Sequence, residues 1–104
     1  MPMKNKLRRS RPPVADNLAR MLIDEWRQPK EQGQPLIILD RGDPEPLHVY
    51  VIWDAWNGLN QIQRSEIIFD VLESLPEPNR LKWPVTLAMG LTSEEAKRMG
   101  IEGA

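Results

Sequence analysis

The chain has 104 residues, 40% of them apolar and 28% charged, with ten prolines and no cysteine. That length suits one domain around one hydrophobic core, and the missing cysteines exclude disulfides, cysteine nucleophiles and thiolate metal sites. No apolar run approaches the roughly 20 residues that span a bilayer, and the basic N-terminus leads into no apolar h-region, so no membrane partner is expected and the cytoplasm is the expected location.

The net charge of −1 hides an asymmetry. Residues 1–13 hold Lys4, Lys6, Arg8, Arg9 and Arg11 and no acid. The other 91 residues carry nine basic and fifteen acidic side chains, a charge of −6. A +5 arm on an acidic body is expected to be a disordered, solvated tail on a single domain over residues 14–104. The alternative is an arm that meets the phosphates of a nucleic acid.

Val14, Leu18, Met21, Leu22 and Trp26 recur at spacings of three and four, which predicts a first helix over 14–27, with Asp16 favoured in its first turn by the helix dipole and Pro29 limiting its end. A polar segment leads to Leu36-Ile37-Ile38-Leu39, a short run of strand formers. Arg41-Gly42-Asp43-Pro44-Glu45-Pro46 signals a turn. Residues 47–53 alternate, with Val49, Val51 and Trp53 on one face and His48, Tyr50 and Ile52 on the other. The two strands read as a hairpin.

After a connector at 54–58, Asn60 and Gln63 form a capping-box pattern that opens a second helix over 61–75. Its apolar residues, Ile62, Ile67, Ile68, Phe69, Val71, Leu72 and Leu75, spread over an arc of roughly 220°. Cover for so wide an arc is expected from the first helix or from a second copy of the chain, a possible homodimer through helix 61–75. A third strand is read over Val85-Thr86-Leu87-Ala88-Met89, starting near Trp83 or Pro84 and ended by Gly90. Thr92 and Glu95 repeat the capping box before a short helix at about 93–99, which Gly100 stops. The order is α-β-β-α-β-α. It predicts an α+β domain whose three-stranded sheet has the two main helices on one face and leaves the other largely bare.

The residues suited to chemistry are sparse. His48, the only histidine, sits in mid-strand. Asp40, Asp43, Glu45 and Asp54 gather near the strand ends but lack calcium-loop spacing, and read as a solvated rim. Glycines occur singly, and no serine lies in an elbow motif. Of four tryptophans, Trp26 and Trp53 fit core positions and Trp83 precedes a proline. Trp56 stands in the connector, where it either tucks under the second helix or anchors a partner.

Residues 54–69 read Asp54-x-Trp56-x-Gly58, five residues, then Arg64-Ser65-Glu66-x-x-Phe69. This resembles the hallmark segment of BolA-like proteins: an aromatic, x, Gly, five residues, then Arg-His-Arg-x-x-Tyr. The strand His48-Val49-Tyr50-Val51 is similar to the family's preceding strand, and Val85–Ala88 followed by Thr92-Ser93-Glu94-Glu95 is similar to its last strand and helix start. The resemblance implies a fold related to the type II KH domain and non-enzymatic roles, either pairing with monothiol glutaredoxins around an iron–sulfur cluster or binding DNA. It also implies Trp56 and Phe69 as packing aromatics, Gly58 as the turn and Arg64 as a hydrogen-bonder at the helix start. The family's histidine position holds Ser65 and its second arginine position holds Glu66, so no cofactor is expected.

The residues leave three readings. In the first, the chain is a non-enzymatic interaction or regulatory module on a BolA-like scaffold. It meets an unknown protein partner through the open sheet face with Trp56, Arg64, Tyr50 and His48. In the second, it binds nucleic acid with the basic arm and a KH-like fold. In the third, it is a metal-dependent or other enzyme using His48 and nearby acids.

Overall fold

The computed structural model describes residues 14–30, 32–41, 47–76 and 84–101. The basic arm, Asp43, Glu45 and their turn, and Trp83 lie outside the described residues.

Six regular elements follow the expected order: α1 (Ala15–Arg27), β1 (Leu36–Arg41), β2 (Leu47–Ile52), α2 (Gln61–Ser74), β3 (Val85–Leu91) and α3 (Ser93–Met99). A 3₁₀ turn, Asp54–Trp56, lies between β2 and α2. The chain is a mixed α+β domain. Its sheet runs β1-β2-β3, with β1 antiparallel to β2 and β2 parallel to β3. The parallel pair needs a crossover, and α2 provides it.

Both capping boxes form. The Asn60 side chain accepts from the Gln63 N–H at 2.8 Å while Gln63 Oε1 accepts from the Asn60 N–H at 3.0 Å. Thr92 and Glu95 do the same at the start of α3. Gly100 closes α3 at a φ of 75°, a left-handed conformation that glycine adopts without a Cβ penalty.

Residues opposite one another in the sheet share a face, and this sorts the side chains. Val49, Val51 and Ala88 join a core with Ala15, Leu18 and Leu22 of α1 and Ile67, Ile68, Val71 and Leu75 of α2. The two main helices therefore cover one face, as expected. The apolar stripe of α1 is narrower than its spacing suggests. Val14 and Met21 are exposed, while Glu25 is buried beside Lys30, whose N–H donates to its Oε2 at 2.9 Å.

Two further expectations are corrected. Gly90 does not end β3 but lies inside it, opposite Val51. A Cβ there would stand 2.8 Å from Trp56 Cε2 and Nε1 and 2.9 Å from Arg64 Cβ, so the strand keeps a glycine where the indole crosses its backbone. The apolar arc of α2 is divided. Its inner half is buried within the chain, whereas Ile62 is 68% and Phe69 37% exposed, so Phe69 is only in part the packing aromatic that the resemblance implies.

Candidate functional site

The motif segment from Asp54 to Phe69 builds the seam between the sheet and α2. Trp56 is 0% exposed. Its indole N–H donates to the Val51 carbonyl at 2.9 Å, and its ring meets Trp53 edge-on at 5.2 Å. Gly58 follows with a φ of 92°, where a side chain would be strained. Arg64, on the first turn of α2, is 5% exposed. Its Nε donates to the Leu59 carbonyl at 2.8 Å, and its Nη1 donates to the Gly90 carbonyl at 3.0 Å and to Glu95 Oε1 at 2.7 Å. Gln61 Nε2 reaches the same Gly90 carbonyl. Ser65 Oγ donates to the Ala88 carbonyl at 2.6 Å.

These contacts revise two site expectations. Trp56 and Arg64 lie inside the domain with their polar groups held by the chain, so neither presents a surface to a partner. Trp56 burial follows from an indole placed one turn after an apolar strand. The sealing of Arg64 depends on Glu95, 31 residues away, and no local pattern announces it.

Two carboxylates show how the seam is held. The Thr92 N–H and the Arg64 guanidinium keep the Glu95 carboxyl below its ordinary value. Asp54 is likewise lowered, first by the Ser93 N–H, then by the Ser93 hydroxyl and by Gln34. Its Oδ1 accepts from Ser93 N and Ser93 Oγ, both at 2.9 Å. Asp54 stays exposed, as a residue of the expected solvated rim, but it also clasps the start of α3 to the β2–α2 connector. Among the described residues no group of three or more His, Asp or Glu side chains is placed to hold a metal ion.

The remaining site residues, His48 and Tyr50, lie on the face of the sheet that α1 and α2 leave uncovered. The register sets out three rows there. His48 stands between Asp40 and Leu87, Tyr50 between Ile38 and Met89, and Ile52 between Leu36 and Leu91. The third row is closed over by Ala96 of α3 and by Ile101, which bury Ile52 and Leu91. In the other two rows His48, Tyr50, Ile38, Leu87 and Met89 are half-buried. The His48–Asp40 juxtaposition realises the geometry of the third reading only so far as a histidine opposite one acid. A second apolar feature runs between β1 and the C-terminal end of α1. There Trp26, Pro29, Pro35, Ile37 and Leu39 line a groove of about 240 Å³.

No helix among the described residues is long and apolar enough to cross a membrane. Comparison with family models, with curated proteins and with solved structures finds no match. The functional reading of this α+β domain therefore rests on its own geometry.

Proposed function

We propose that the chain is a non-enzymatic interaction module on a BolA-like scaffold that engages a protein partner through the open face of its sheet. The observation that carries this reading is the inequality of the two faces. One is sealed by two amphipathic helices. The other offers Ile38, Tyr50 and Met89 in one row, flanked by His48, Asp40 and Leu87. A tyrosine among aliphatic neighbours suits a protein partner, because it adds apolar area and a polar tip with little rotamer entropy to lose. The polar residues of the seam support the same reading. Arg64, Glu95, Asp54 and Ser65 spend their hydrogen bonds on joining elements of the fold.

Affinity capture from the native cell tests this. The Ile38→Ala/Tyr50→Ala variant should lose a protein that the wild type retains, while Ile62→Ser, on the far side of α2, should keep it. Equal recovery by all three would overturn the reading. Recovery of DNA or RNA in place of protein would favour the second reading, whose signature is loss of binding on removal of residues 1–13 and a steep decline with salt.

The exposed pair Ile62 and Phe69, two turns apart on α2, supports self-association through helix 61–75. Light scattering should then give a dimer that Ile62→Ser/Phe69→Ser converts to a monomer, and a wild-type monomer at high concentration ends that part of the proposal.

A further inference from the structure

We infer that α3 is a hinged lid over the Ile52–Leu91 end of the open sheet face, latched shut by Asp54 and by the Arg64–Glu95 pair. Its grip on the body differs in kind from that of the other helices. α1 inserts Ala15, Leu18 and Leu22 into the main core and α2 inserts Ile67, Ile68, Val71 and Leu75. From the α3 segment only Ala96 is fully buried, helped by the partly buried Ile101 that follows. Glu94, Lys97, Arg98 and Met99 face solvent. So little apolar contact leaves the polar attachments to decide whether the helix stays down. Asp54 accepts from the backbone and hydroxyl of Ser93, and Glu95 accepts from Arg64.

The hinge is equally local. One residue, Thr92, separates the last residue of β3 from the first of α3. Rotation there swings α3 while Leu91 stays in the sheet, where its carbonyl accepts from the Trp53 N–H at 2.7 Å. Beneath α3 the apolar surface is continuous. Ile52 and Leu91 belong to one cluster with Leu36, Ile38, Tyr50 and Met89. Lifting α3 therefore extends the open face by a full row across all three strands. Opening of this kind draws on the least stable end of a structure, where binding lids are found. The lid's purpose rests on the open face being a binding face. Its existence does not.

Native-state hydrogen exchange on the free full-length chain tests the lid without a partner. In the wild type, the amides of Ala96, Gly100 and Ile101, all hydrogen-bonded within the α3 segment, should exchange by an opening whose denaturant dependence is measurable but smaller than that of the Trp53 amide. Their protection should be lower than that of the Trp53 amide. In Asp54→Asn/Glu95→Gln, protection of the three α3 amides should fall roughly ten- to hundredfold, while the Trp56 indole N–H keeps its native chemical shift. Equal protection and equal denaturant dependence of α3 and Trp53 amides in the wild type would overturn the lid. So would unchanged α3 protection in a folded double variant. The wild-type arm decides the matter even if the variant does not fold.

Discussion

Trp56 lies across the backbone of Gly90, so closely that a methyl group on that glycine would stand 2.8 Å from two atoms of the indole. The ring cannot retreat freely, because its N–H is tied to the Val51 carbonyl and its edge rests against Trp53. Gly90→Ala is therefore expected to destabilise the domain by about 2 kcal/mol, the scale of overpacking in a closed core. A urea titration should show the midpoint falling with an unchanged slope. A variant as stable as the wild type would mean that the indole is not held as described.

Arg64 and Glu95 join α2 to α3 unequally. The arginine side chain is 7% exposed and the glutamate 33%. Truncating Glu95 leaves a buried cation with carbonyl partners only, whereas truncating Arg64 leaves a carboxylate that water can reach. A double-mutant cycle over Arg64→Ala and Glu95→Ala should return a coupling of about 2 kcal/mol, between surface and buried ion pairs. Arg64→Lys should restore little of it, because a lysine cannot serve Leu59, Gly90 and Glu95 from one rigid fork.

Acid sensitivity should follow the same contacts. Glu95 is held below its ordinary value of 4.5, chiefly by the Thr92 N–H and then by Arg64. A depressed carboxylate adds stability above the unfolded-state value and loses it as pH falls through the folded one. Thermal stability should therefore be flat near neutrality and decline below about pH 4.5. Asp54, lowered by Ser93 and Gln34, should contribute a second loss at lower pH. Glu95→Gln should start less stable at pH 7 and decline less between pH 5 and 3, and a decline as steep as the wild type's would place the sensitivity elsewhere.

Local signals carried the element order. The three- and four-residue spacing in α1, the alternation in β2 and the two capping boxes all depend on neighbours within a few residues, and each formed where the spacing put it. Relationships between distant segments were not legible. Nothing around Gly90 says that an indole 34 positions earlier will occupy its Cβ space, so the glycine read as a strand end. Nothing around Arg64 says that Glu95 will seal it. Helical arcs likewise count apolar residues without saying where the cover stops, which is why Phe69 and Ile62 emerged exposed. Strand alternation alone puts His48 and Tyr50 on the same face of the sheet, but which face stays open is decided by where α1 and α2 pack.

The claim that the open face binds a protein is tested most directly by placing a photo-crosslinking phenylalanine analogue at Tyr50 and, in a second variant, at Ile62, and irradiating each in the native cell. One discrete protein adduct is expected from position 50 and none of that mass from position 62. An adduct from position 62 alone, or nucleic acid attached at position 50, would contradict that claim.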